Sequence, residues 1–459
     1  MALDYDLAIV GSGGAAFSAA IHGRRLGARV VLIERDTVGG TCVNIGCVPS
    51  KTMLAAAKVR HRAISQPFAG VSTTAGAVDL AAVVAQKDEL IADMRQHKYL
   101  DLAESYDFDI IQGQARFEDR ETLTVDGREV RARAYLIATG ATPAVPELPG
   151  LPESGFLTST TAMEQQVVPE RLVTIGGGFV GLEQSQLFAR LGSQVTIVGR
   201  LAPRTEPELA SRLRLILIDE GIAVVNDRAV AVEQRGDTRM VQTATGSTVE
   251  GSAVLVAAGR SARVDGLDLE QAGVELDAHG FVTVGEDQRT TNPAIYAAGD
   301  VTGGPQFVYV AAAEGHVAAQ NALEGKNETV DYAGLPDVVF TDPQLAGAGM
   351  TEAQALEAGY DCDCRLLGLE DVPRGLVNHD TRGAIKLVAD QKNGKVLGVH
   401  ALTDGAGDVI LAGVYAIKFG LTVSDLANTW APYLTMAEAL KLVAQSFTVP
   451  VDQLSCCAI

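Results

Sequence analysis

One local pattern occurs twice in this chain, and it constrains the fold more than any other feature. Leu7, Ala8, Ile9 and Val10 form an apolar run that enters Gly11-Ser12-Gly13-Gly14-Ala15-Ala16, and a second apolar run at 28–33 ends on Glu34. A strand buried on both faces reads as a near-continuous apolar run. The order is therefore strand, Gly-x-Gly-x-x-Ala turn, helix, strand, acid. Glycines at such a turn let backbone N–H groups approach a pyrophosphate at a helix N-terminus, and the acid accepts hydrogen bonds from a ribose. Gly11, Gly13, Gly14, Ala15, Ala16 and Glu34 are expected to hold a dinucleotide. The pattern returns at Arg171–Ile175, 176–181 and Gln194–Val198, but there Gly199 takes the place of the acid, with Arg200 and Arg204 beyond it. An acid at that point favours the bare ribose of NAD, whereas arginines favour a 2′-phosphate. Gly176, Gly178, Gly181, Arg200 and Arg204 are thus expected to hold NADPH.

Two more segments suit a flavin dinucleotide (FAD) paired with a nicotinamide. Residues 135–141 and 254–260 are matching strand-to-glycine turns, each following its own nucleotide unit as a crossover would. Residues 295–300 end another apolar strand on Asp300, placed to bond a ribityl chain. Thr139, Gly140, Gly259 and Asp300 join the expected cofactor contacts. After Asp331 the pattern changes: strand-like stretches at 338–341, Ala384–Asp390 and 395–401 are followed by helical ones at 408–419 and 435–447, without a nucleotide turn. That suits an α+β domain used for dimerisation. Residues 450–459 read as an extended tail. The expected fold class is α/β, with two Rossmann-like dinucleotide-binding domains (FAD and NADPH) and a C-terminal α+β dimerisation domain. The expected boundaries are 1–150 and 265–334 for the FAD domain, 151–264 for the NADPH domain and 335–459 for the last.

Composition excludes several classes. A chain of 459 residues exceeds one core. A formal charge of −20 argues against nucleic-acid and anionic-membrane partners. No run reaches the ~18 apolar residues of a membrane span, and the first strand begins too early for a secretory signal. A cytoplasmic location is expected, where close cysteine pairs are more often catalytic or metal-binding than structural.

Such pairs are present. Cys42 and Cys47 stand close after Gly40-Thr41, with Pro49, Ser50 and Lys51 following. Four intervening residues allow a turn that brings the sulfurs together. Pro49 suits the first residue of a helix, which would set Cys47 at the positive end and lower its thiol pKa. Cys456 and Cys457 are adjacent. Neighbouring Cα atoms lie about 3.8 Å apart, closer than the roughly 4.4–6.8 Å usual for a disulfide. As free thiols they make a clamp for a soft, two-coordinate cation. Cys362 and Cys364 alternate with Asp361 and Asp363, and on a strand both sulfurs would face one side.

By the turns at 11–16 and 176–183, the segment from Cys42 through Lys51, and residues 296–300, the whole chain resembles the pyridine nucleotide–disulfide oxidoreductases. Residues 430–438 and 454–457 resemble the mercuric reductases within that family. The resemblance implies that Cys47 touches the flavin and Cys42 exchanges with substrate. It implies that Lys51 pairs with Glu183 beside the flavin ring, that Gly40 and Thr41 line its site, and that Phe179 lids the nicotinamide pocket where many relatives carry tyrosine. Members that cleave disulfides place a histidine, partnered by a glutamate matching Glu438, where this chain has Tyr433. Its seven histidines all lie at or before His400, so a metal substrate is favoured over an organic disulfide. The implied reaction is reduction of Hg(II) bound at Cys42 and Cys47, delivered by Cys456 and Cys457 of the partner subunit in a homodimer. Many mercuric reductases carry an additional amino-terminal metal-binding domain, which is not expected here. Two other readings stay open: a disulfide reductase of unusual substrate, and a non-catalytic flavoprotein that sequesters metal.

Overall fold

The apolar runs flanking the first glycine turn become neighbouring strands. In the computed structural model, which describes residues 3–453, Tyr5–Val10 lies between Val30–Glu34 and Ala132–Ile137, with Asp109–Gln112 and Ile295–Ala297 at the two edges. Every pairing in this sheet is parallel. Val30–Glu34 is buried at all of its residues, which is why it shows no polar alternation. Helix Gly14–Arg25 crosses helix Val308–Glu324 over the sheet. A Cβ on Gly315 would lie 2.1 Å from the Ala15 carbonyl oxygen, so only a glycine permits this approach. The edge strand Ile295–Ala297 reaches the sheet only after an intervening unit, so this layer is assembled from two separated stretches of chain.

The intervening unit repeats the design. Ala223–Val225, Gln194–Val198, Arg171–Ile175 and Ala253–Val256 form a second parallel sheet in that order. An antiparallel pair, Ala141–Pro143 with Arg260–Ala262, joins the two crossover segments. The last unit is an antiparallel sheet ordered Pro336–Val339, Gln344–Gly349, Val396–Thr403, Ala384–Asp390, Cys362–Gly368. Helices Ala406–Lys418 and Glu438–Gln445 cover one face of it. The fold class is the α/β arrangement expected from the sequence. Two local expectations need correction. The helix expected over 435–447 is confined to Glu438–Gln445, because Leu434 takes a left-handed backbone (φ 59°) and residues before Glu438 form turns. Residues Val451–Gln453 make a helical turn instead of extended chain. Cys456 and Cys457 lie outside the described residues. Among the described residues, no helix is long and apolar enough to cross a membrane.

The three units share one interior. Met53 and Ala57 of the first, Phe188 and Leu213 of the second, and Val339 and Leu402 of the third belong to a single apolar cluster. A polar network crosses the same seam. Arg190, whose side chain is 4% exposed, pairs with Glu220 at 2.7 Å and with Asp342 at 2.9 Å. Lys58 from the first unit reaches Asp342 at 2.8 Å and Asp404 at 2.9 Å. Removing one member of such a buried set leaves uncompensated charge, a cost of about 3–5 kcal/mol. Arg190→Met is therefore expected to lower the thermal midpoint by several degrees, read by calorimetry, with Glu220→Gln in the same background recovering part of the loss.

Candidate active site

The two glycine turns and the cysteine segment differ in what they face. The first turn opens onto a cavity of about 900 Å³ lined by Gly11, Gly13, Gly14, Ala15, Glu34, Gly40, Thr41, Cys42, Cys47, Lys51, Thr139, Gly140, Phe179, Glu183 and Asp300. Backbone sterics hold its floor. A Cβ on Gly11 would meet the Ala138 carbonyl oxygen at 2.4 Å, and one on Gly40 would meet the Gly13 Cα at 2.6 Å. The turn and the cysteine segment thus pack backbone to backbone along the cavity floor. Ser12 fastens them: its hydroxyl donates to Glu34 Oε2 at 2.5 Å and accepts from the Gly39 N–H at 3.1 Å. The buried Thr139 hydroxyl lines the cavity with no hydrogen-bond partner among the described residues. Asp300 lies 3.4 Å from the Arg260 guanidinium, and burial raises its carboxyl pKa even against that cation. A cradle of bare backbone, an unpartnered hydroxyl and two acids suits the pyrophosphate and the polyol of a flavin dinucleotide.

Ala16 departs from expectation. It is fully buried in the apolar cluster of the first unit, together with Leu7, Ile9 and Leu32, and does not line the cavity. Gly176, Gly178, Gly181, Arg200, Arg204 and Gly259 lie outside the cavity lining as well. They belong to the second turn. There Gly176 would set a Cβ 2.2 Å from the Ala257 carbonyl oxygen, and Gly181 one 2.0 Å from that of Gly176. Gly181 is therefore a packing glycine, while Gly178 caps helix Phe179–Leu191 with open space beside it. Arg200 and Arg204 are exposed.

The cysteines sit where two helices meet. Cys42 lies in the short helix Gly40–Asn44, and Cys47 is the first residue of helix Cys47–Ile64. Pro49 is the third residue of that helix and not the first, because Gly46 takes the capping position with a φ of −124°. The change brings Cys47 onto the helix terminus itself, where unpaired N–H groups stabilise a thiolate. Both sulfurs are free thiols. A hydrogen bond from Cys42 holds the Cys47 thiol down to about 7, helped by the Lys51 ammonium, and the Cys42 thiol is raised correspondingly. Cys47 is the nucleophilic sulfur of the pair at neutral pH.

Lys51, one turn along, donates to Glu183 Oε2 at 2.8 Å and lies 4.6 Å over the Phe340 ring. The other oxygen of Glu183 accepts the Phe340 N–H at 2.9 Å. One carboxylate thus ties together all three units beside the thiols. The aromatic wall opposite runs from Phe179 through Phe307 to Tyr309, with the last two rings stacked at 5.3 Å.

Sequence reasoning missed Ser12, Tyr99, Tyr309 and Phe340. Tyr99 has its hydroxyl pushed up to about 12 by burial, then by the charges of Cys42 and Cys47, and its ring packs edge-on against Phe17 at 4.8 Å. It comes from residues 96–100, fifty positions from the cysteines, and nothing local marks it. Ser12 carried a signal, a hydroxyl between two turn glycines. Tyr433 is 53% exposed. Glu438 is buried and accepts the Leu434 N–H at 3.1 Å, so its carboxylate braces the loop that carries Tyr433. No histidine lines the cavity among the described residues.

Comparison with known proteins agrees with this geometry. The family model described as pyridine nucleotide-disulphide oxidoreductase matches residues 5–315, and its dimerisation-domain model matches 335–444. The chain is 52% identical to the mercuric reductase of Streptomyces lividans over 99% of its own length and 98% of that protein. It is 49% identical to the mercuric reductase of Lysinibacillus sphaericus, covering 99% of this chain and 85% of that one. Among solved structures, the Cu(II) complex of the HOCl-induced flavoprotein disulfide reductase RclA from Escherichia coli aligns with a TM-score of 0.86 at 31% identity, over 97% and 99% of the two chains.

The Cys47 environment has a direct test. In reduced protein, the rate of Cys47 alkylation should rise through a midpoint near pH 7, since the thiolate accumulates above its pKa. Cys42→Ala removes the largest cause and is expected to move that midpoint up towards the ordinary thiol value. Cys42→Ser keeps a donor and is expected to move it less.

Proposed function

The chain belongs to the pyridine nucleotide-disulphide oxidoreductase family, and from that membership we propose that it catalyses NADPH-dependent reduction of thiol-bound Hg(II) to Hg(0), as mercuric reductases do. The observation that carries the reading is a dithiol beside the Lys51–Glu183 pair in a cavity with no imidazole. Splitting an organic disulfide requires a proton for the departing thiolate. Reducing a dithiolate of Hg(II) requires two electrons and releases neutral metal and two thiolates, with no proton donor. Tyr433 and the loop-bracing Glu438 suit the second task.

FAD fits the first cradle, held by the backbone of residues 11–15, Glu34, Gly40, Thr41, Thr139, Gly140 and Asp300, and when bound it relays electrons from NADPH towards the thiols. Every other role belongs to side chains of the protein. Gly176, Gly178, Phe179, Gly259, Arg200 and Arg204 would hold NADPH, the arginines through its 2′-phosphate, with Gly181 packed beneath the turn. Lys51, paired with Glu183 at 2.8 Å, favours negative charge on whatever lies above the Cys47 thiol. Cys42 and Cys47 take Hg(II) by exchange, each new Hg–S bond replacing an old one, so the metal is never released to water. Tyr433, exposed on a loop of the dimerisation unit, guides the incoming complex. Cys456 and Cys457 of the partner subunit deliver it. Leu411, Tyr415 and Phe419 form an exposed apolar row at one-turn spacing on the dimerisation unit, which suits a homodimer interface. The protein acts in the cytoplasm, where thiols stay reduced.

The deciding measurement is Hg(II)-dependent NADPH oxidation with excess thiol. The purified flavoprotein should oxidise NADPH when Hg(II) is added and release volatile metal, and it should be inactive with glutathione disulfide or lipoamide. The opposite pattern would overturn the reading. Cys456→Ala with Cys457→Ala should spare turnover of Hg(II) on small ligands and impair turnover of Hg(II) held by bulky thiols. Loss of a charge-assisted contact costs roughly 1.5–3 kcal/mol. Arg200→Ala with Arg204→Ala is accordingly expected to raise KM for NADPH by about tenfold or more while leaving that for NADH unchanged.

A further inference from the structure

Two cysteines take no part in the centre described above. Cys362 and Cys364 stand two apart on Cys362–Gly368, the edge strand of the third sheet. Side chains at that spacing share a face. Leu367 lies in the apolar core, and Arg365 lies over the Phe447 ring at 4.9 Å, so the odd positions point to the helix-covered side. Both thiols therefore face the opposite side. Leu366, which shares their face, is in register with Lys386. That lysine is 3% exposed and donates to Glu206 at 2.9 Å, Glu208 at 2.9 Å and Glu352 at 2.7 Å. The thiols thus border an acidic cluster whose one buried cation is already committed. The apolar row at Leu411, Tyr415 and Phe419 lies across the sheet, so an interface there does not cover the thiols, which sit half-buried at the edge of the face that packs against the second unit.

Chemistry at the pair follows from the strand. Cα atoms two apart on an extended strand are separated by roughly 6.6–6.8 Å, at the far limit for a disulfide. Both cysteines are free and half-buried. A cation held in line between two sulfurs spans more than an S–S bond, and so suits the extended strand. Burial and the Glu352 charge push the Cys364 thiol up to about 12 and raise that of Cys362. Protonated thiols are poor nucleophiles at neutral pH, yet a thiophilic metal displaces their protons on binding.

We infer that Cys362 and Cys364 form a second, non-catalytic binding site for a soft two-coordinate cation. Hg(II) is the ion of that class that the proposed function brings to the chain; its occupancy in the cell rests on that reading, whereas binding itself does not. Loading from a dithiolate is balanced. Two Hg–S bonds form and two break, each protein S–H gives its proton to the thiolate it displaces, and the metal stays Hg(II). Neither cysteine lines the cavity, so metal held here leaves by thiol exchange and not by reduction.

The test uses flavin-loaded protein with Cys42, Cys47, Cys456 and Cys457 all changed to serine. After incubation with mercuric chloride and a monothiol competitor, native mass spectrometry should show one Hg(II) retained per chain. Adding Cys362→Ser and Cys364→Ser should abolish retention, and either substitution alone should weaken it by about tenfold or more. No retention in the four-serine protein, or equal retention after all six substitutions, overturns the site. In the unaltered holoenzyme, Hg(II) should protect Cys362 and Cys364 from maleimide, read by peptide mapping; equal labelling with and without metal also overturns it. Failure of Hg(II)-dependent NADPH oxidation would count against the reductase and leave these readouts unaffected.

Discussion

The Lys51–Glu183 ion pair is the joint on which the arrangement depends. Lys51 belongs to the helix that begins at Cys47, Glu183 to the helix after the second glycine turn, and Phe340 to the start of the third sheet. Glu183 accepts from both of the others, so neither of its oxygens is wasted. A half-buried pair gives little net stability when its partners are poorly bonded. Here the carboxylate is fully bonded and the ammonium also rests on an aromatic face. Its value is positional: the thiols, the floor of the second nucleotide turn and the third unit are held in one fixed relation.

That joint explains how three nearly independent folding patterns make one site. Each glycine turn is specified within about thirty residues, by strands that pair in parallel and by positions where a Cβ would strike a carbonyl. The shared core through Phe188 and the Arg190 network prevents the units from sliding against each other. Chemistry at a sulfur demands that precision, because a small displacement of Cys47 from Cys42 and Lys51 would undo the work of its lowered pKa.

Much of this was legible in the chain. The two turns, the acid at Glu34, the cysteine segment and the α+β character of the last unit are local patterns, and local patterns survive in sequence. What escaped depends on distant contacts. Tyr99, whose hydroxyl feels the charge of both thiols, comes from a helical segment that nothing in its own sequence marks. Phe340 matters through its backbone N–H, which any residue but proline supplies. The motif includes Ala16 among the ligand contacts, yet its side chain is fully buried in the apolar cluster of the first unit. Pro49 misplaced the helix start by two residues, since proline is tolerated throughout the first turn, where its missing N–H goes unused.

The same principle separates the two described thiol pairs. Cys47 lies at a helix N-terminus, with a thiol donor and an ammonium beside it, and its proton leaves near neutrality. Cys364 lies on a strand, where no helix end compensates burial and the nearest strong charge is a carboxylate, and it keeps its proton to about 12. Identical side chains thereby acquire opposite dispositions. A redox thiol must be ionised before its partner arrives, so its surroundings have to supply positive potential in advance. A binding thiol that stays protonated is shielded from oxidants until a thiophilic metal displaces its proton, at some cost in affinity. Backbone geometry makes that division: a turn folds Cys42 onto Cys47, whereas the extended strand keeps Cys362 and Cys364 too far apart to join readily but near enough to share an ion.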